Sequence, residues 1–120
     1  MKKRIYEIFS FLLGIIAAGY GLSYAGADRD FIVKKITSGA LIVDVRTPGE
    51  YEAGHYPGAV NIPLDEIDAR IIEFGDVNRP IVVYCRSGNR SARAKAILEA
   101  HGFRDVTNGG GLRDMPDVPR

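Results

Sequence analysis

The apolar positions of this chain fall into short unbroken runs separated by segments of helical spacing. "ALIVDV" (40–45) and "IVVYC" (81–85) are continuous apolar stretches rich in β-branched residues, the pattern of strands buried on both faces. "DRDFIVKKITSG" offers Asp28 or Asp30 as a helix cap and Gly39 as a stop. "LDEIDARIIEF" places Leu64, Ile67, Ile71 and Phe74 on one helical face, and "SARAKAILEAHG" reads as a helix ended by Gly102. "AVNI" before Pro63 and "RDVTN" are short strands, "RTPGEYEAGHYPGA" is a loop with one helical turn from Pro48, and "GGGLRDMPDVPR" is a turn and tail. Strands alternating with helices predict right-handed crossovers and an α/β fold: a three-layer α/β/α sandwich around a small parallel sheet of four to five strands. In such sheets ligands bind at the carboxyl ends of the strands.

The amino terminus breaks this pattern. Lys2, Lys3 and Arg4 precede an uncharged run of 20 residues from Ile8 to Ala27, which closes on "AGA" as a signal peptidase requires. About 20 apolar residues also span a bilayer, so residues 1–27 read as a signal peptide or an uncleaved membrane anchor. Gly14, Gly19, Gly21 and Gly26 weaken a permanent helix and favour cleavage after Ala27. Either way, residues 28–120 form the working domain outside the cytoplasm, periplasmic or otherwise exported, and touch a membrane only if the leader stays attached.

Charge narrows the function classes. The 16 basic and 15 acidic side chains leave a net charge of +1, which argues against a nucleic-acid partner bound by bulk phosphate neutralisation. One cysteine and two scattered histidines, His55 and His101, give neither an internal disulfide nor metal-ligand spacing, so no metal or cofactor is expected. The cysteine stands out by its place. Cys85 ends a buried strand, and the residues after it, Arg86, Ser87, Gly88, Asn89 and Arg90, lead into a helix at Ser91. Gly88 permits a tight loop whose amides turn inward as an anion nest, and the helix adds its positive end. Four cations lie between Arg86 and Lys95 and no acid before Glu99. That field should hold a thiolate below the free-cysteine value of about 8.5 and present an exposed nucleophile at the sheet edge. A strand-end cysteine taken alone is more often packing than chemistry; strand, loop, helix and charge together favour catalysis.

"VDVRTPGEYEAGHYPGAVNIPL" followed by "VVYCRSGNRSARAKAIL" resembles the rhodanese family of sulfurtransferases, from about Asp30 to Leu112. With the leader and the ending "NGGGLRDMP", the chain looks most like the exported single-domain periplasmic rhodaneses of the phage-shock type. Many rhodaneses carry a tryptophan soon after the late glycines; here Leu112 follows them and tryptophan is absent. The resemblance implies a thiosulfate sulfurtransferase. Cys85 would take the sulfane sulfur of thiosulfate as a persulfide and pass it to cyanide in assay or to a small or protein thiol in the cell. Arg86, Ser87, Gly88, Asn89, Arg90 and Ser91 would bind substrate, and a monomer is expected.

Two other readings stand beside it. Cysteine phosphatases and arsenate reductases place five residues between cysteine and arginine, whereas "CRSGNR" has four, a tighter ring suited to one sulfur. A non-enzymatic persulfide carrier or binding module is the other alternative. Asp44 and Arg46 read as structural, with an ion pair to Glu50 conceivable. His55 reads as a loop lock, His101 as a helix C-cap, and Arg93 and Lys95 as a solvated rim that steers anions.

Overall fold

A computed structural model describes residues 26–118. The signal peptide or anchor expected over residues 1–27 lies almost wholly outside them. Among the described residues no helix is long and apolar enough to cross a membrane.

The elements run α1 (Arg29–Thr37), β1 (Leu41–Asp44), α2 (Pro48–Ala53), β2 (Val60–Asn61), β3 (Ile81–Cys85), α3 (Asn89–Ala100) and β4 (Val106–Gly111). Asp28 caps α1 by accepting the Asp30 amide at 2.8 Å. Thr47 and Glu50 close a reciprocal capping box on α2, with Pro48 at its first turn. The four strands are parallel in the order β2-β1-β3-β4, so β1 and β3 lie in the middle. Their unbroken apolar runs follow from that position. Val43, Val45, Ile81, Val83 and Cys85 point to one face, where Ala94 and Leu98 of α3 meet Ile67, Phe74 and Phe103. Ile42, Val82 and Tyr84 point to the other, against Ile32 of α1 and Met115. Helical layers thus cover both faces, as expected, and each fully buried aliphatic side chain contributes about 1.5–3 kcal/mol.

Three segments differ from their sequence reading. The helix expected over 64–74 is instead two 3-10 turns, Leu64–Glu66 and Ile71–Phe74, although Leu64, Ile67, Ile71 and Phe74 do all pack on the core. Pro63 supplies no side-chain cap, and Asp65 and Asp68 are weak helix formers, so tertiary packing sets the backbone. α3 begins at Asn89 rather than Ser91, because Gly88 turns the chain at φ +93°. The glycine triad 109–111, read as a turn, is the end of β4, which pairs Gly111 with Cys85 across a register shift.

That last difference bears on the site. A Cβ on Gly111 would stand 2.3 Å from the Arg86 carbonyl oxygen. Only a bare backbone lets β4 run flush against the loop after Cys85. Gly111→Ala is expected to destabilise the domain by about 1–3 kcal/mol through overpacking. Denaturant unfolding measures the change, and an unaltered midpoint would show that the two backbones separate freely.

Candidate functional site

β3 is the central, fully buried strand, so its last residue, Cys85, ends inside the protein at 0% exposure. The sequence reading of an exposed nucleophile is corrected here: Cys85 belongs to the buried cluster that also holds Val43, Val45, Ile62 and Ile67. It is nonetheless surrounded by donors. The Gly88 amide donates to Sγ at 3.0 Å and the Ser91 amide at 3.4 Å, with the Ser91 hydroxyl also at 3.4 Å. The Ser91 amide is free for this because the first four N–H groups of a helix have no partner within it. Burial pushes the thiol up, while the Ser91 hydroxyl and the amides of Ser91, Ser87 and Gly88 pull it down; the outcome is a thiol below its ordinary value.

The remaining predicted residues divide. Arg86 and Ser87 are exposed and line a cleft of about 650 Å³ with Arg46, Glu50, Ala53, Leu112 and Arg113. Asn89 is exposed at the first position of α3. Arg90 is committed elsewhere: it makes a bidentate pair with Glu50 at 2.7 and 2.9 Å, clamping α3 to α2. That pair holds the Glu50 carboxyl down at about 2, against the hydrogen-bonded guanidinium of Arg90 and despite partial burial.

Arg46 does not reach Glu50, as the sequence reading allowed. It forks onto Asp44 at 2.7–3.1 Å and bonds the Gly54 carbonyl at 2.7 Å. Asp44 is fully buried and also accepts from the Tyr84 hydroxyl at 2.8 Å, which in turn accepts the Tyr56 amide at 2.9 Å. Burial and the adjoining carboxylate push the Tyr84 phenol up, so it remains a donor. His55 locks its loop as expected, stacked on Tyr51 at 3.7 Å and bonded to the Tyr51 carbonyl oxygen at 2.9 Å. His101 is the C-cap of α3 as expected, its backbone N–H bonding the Ile97 and Leu98 carbonyls, and its imidazole lies 2.7 Å from Asp68. Arg93 is exposed, as a solvated rim requires.

Sequence reasoning passed over Arg113 and Asn108 and gave Glu50 a different partner. Glu50 neutralises Arg90, and Arg113 faces the cleft beside Arg86. Asn108, next to the triad, bonds the Ser91 hydroxyl at 2.7 Å and the Gly88 carbonyl at 3.2 Å. The one available signal was "NGGG" closing the last strand beside the sheet edge. Since Asp44 offsets Arg46 and Glu50 offsets Arg90, the cleft's uncompensated charge is that of Arg86 and Arg113, and it is positive.

Fold and site together define an α/β domain that cradles a buried cysteine sulfur in loop and helix amides at the end of a central parallel strand. The chain belongs to the rhodanese-like domain family, whose model matches residues 29–112. It is 46% identical over 79 residues to thiosulfate sulfurtransferase PspE of Escherichia coli K12, covering 63% of this chain and 76% of that protein. It is 32% identical over 97 residues to the thiosulfate:glutathione sulfurtransferase of Saccharomyces cerevisiae, covering 71% and 70%. Among solved structures, a rhodanese with anions from E. coli superposes with a TM-score of 0.61 at 42% identity, over 68% of this chain and all of that one.

The depressed Glu50 carboxyl gives a signed pH dependence. Its contribution to stability is complete above the ordinary carboxyl value of 4.5 and is lost as pH falls through about 2. The parent should therefore exceed Glu50→Gln in urea midpoint at pH 6. The gap should narrow below 4.5 and close near 2; a gap independent of pH would assign it to packing rather than charge.

Proposed function

We propose that this protein is a thiosulfate sulfurtransferase that carries sulfur on Cys85. The donor ring around the Cys85 sulfur carries the reading, and the names of its relatives support it. The thiolate attacks the outer sulfur of thiosulfate, the S–S bond of the donor breaks, and its electron pair leaves with sulfite. Cys85 is then a persulfide whose terminal sulfur bears the negative charge. A thiophilic acceptor, cyanide in assay or a thiol in the cell, takes that terminal sulfur and returns the thiolate. The Cys85 thiolate is already formed, so the first half-reaction needs no general base; a thiol acceptor attacks as its thiolate, its proton having gone to solvent.

Roles follow from position. The Ser87, Gly88 and Ser91 amides stabilise negative charge on sulfur, as an oxyanion hole does on oxygen. Arg86, exposed at the cleft, attracts the donor dianion together with Arg113, while Arg90 holds the loop through Glu50. Gly88 and Asn89 shape the entry to α3. The domain works as an exported protein, with residues 1–27 as signal peptide or anchor.

Brief anaerobic thiosulfate treatment should add about 32 daltons, removable by reductant, to the peptide containing Cys85. Transfer to cyanide should follow ping-pong kinetics and vanish in Cys85→Ser. Absence of the mass gain would instead make the domain a binding module. Because the thiol is depressed, the rate of its alkylation should rise with pH through a midpoint below the free value of about 8.5 and be lost below that midpoint.

A further inference from the structure

Asn108 lies on β4, opposite Val83 of β3, and touches neither the Cys85 sulfur nor the cleft beside Arg86. Its amide is nevertheless tied to two of the residues that donate to Sγ, Ser91 and Gly88. Oδ1 accepts the Ser91 hydroxyl at 2.7 Å and the Gly110 amide at 2.9 Å, and Nδ2 donates to the Gly88 carbonyl at 3.2 Å. The orientation is dictated: a flipped amide would set N–H against the Gly110 N–H and oxygen against the Gly88 oxygen.

The Ser91 hydroxyl is fully buried and has a single hydrogen. Four acceptors surround it: Asn108 Oδ1 at 2.7 Å, the Gly88 oxygen at 3.1 Å, and the Gly110 oxygen and Cys85 Sγ at 3.4 Å. Asn108 is the nearest, and this shortest of the four contacts ties Ser91 to β4. A pinned Ser91 keeps its own amide aimed at the sulfur, and the bond to the Gly88 carbonyl steadies the other donor. We propose that Asn108 is a positioning residue for sulfur transfer, acting on Cys85 through Ser91 and, secondarily, Gly88.

The charged and titratable groups packed round the loop are Arg86 and Arg90, Glu50 from α2, Asp44, Arg46 and Tyr84 at the strand ends, and Arg113 and Asp114 after β4. Replacing a neutral amide alters none of them. The proposal rests on Cys85 being the nucleophile, but alkylation reads the thiol whether or not sulfur is transferred, so the two readings fail separately.

The test is the pH profile of Cys85 alkylation in the full chain, alongside kcat/KM for thiosulfate. Asn108→Ala should raise the midpoint by about half a pH unit or more, the size of one hydrogen bond lost. Below the midpoint kcat/KM should fall about threefold to tenfold, and the deficit should close at higher pH, a recovery that mere loss of fold cannot give. In a Ser91→Ala background the same substitution should move the midpoint less than half as far. If alanine does not fold, Asn108→Ser keeps a polar group on β4 yet is too short for Ser91 and Gly88, and should give the same upward shift. A midpoint that stays put or moves down, or an equal shift in both backgrounds, overturns the proposal.

Discussion

A sulfur atom placed in hydrocarbon and asked to carry negative charge sets the terms for the rest of this domain. Burial alone would keep the Cys85 thiol protonated, since a charge in a low-dielectric interior loses its hydration. The Ser91 hydroxyl and the amides of Ser91, Ser87 and Gly88 replace that hydration with preset dipoles, and together they outweigh the burial cost. Such dipoles need no reorganisation when charge arrives. That is the advantage of a site assembled from backbone over one assembled from mobile side chains.

The architecture around the sulfur serves this arrangement at several removes. Gly88, in the left-handed region, turns the chain so that α3 starts immediately and its unpartnered N–H groups face inward. Gly111 lets the edge strand β4 lie against the Arg86 carbonyl. On the far side, the Glu50–Arg90 fork joins α2 to the first turn of α3. The buried Asp44–Arg46–Tyr84 network fixes the ends of β1 and β3 to the loop after α2. A buried pair of this kind is weak evidence for net stability. Its visible effect is to hold strand ends and loops in one arrangement. Both ion pairs also remove charge from the cleft, leaving Arg86 and Arg113 to set its sign.

Much of this was legible in the residues themselves. The runs 40–45 and 81–85 announce central strands because β-branched apolar residues without alternation suit a sheet covered twice. The parallel α/β sandwich follows from them. The cysteine loop was legible too, since strand, glycine and helix are contiguous and their amides converge by local geometry. The reading failed where local signals were weak or misleading. At 64–74 the apolar spacing found the right buried residues but the wrong backbone, because caps and propensities left packing to decide. At 109–111 glycines that usually mark turns instead mark a close approach to a second backbone.

What the amino-acid order determined alone is therefore what lies within one turn or one strand: the elements, their buried faces, the cysteine and its amides. Tertiary structure alone decided that Arg90 belongs to Glu50, that the sulfur is covered, and that Asn108 stands behind Ser91. The pairing across 40 residues and the bond across 17 exist because parallel crossovers bring distant strand ends to one edge. No local periodicity records which of several arginines a given carboxylate will meet there.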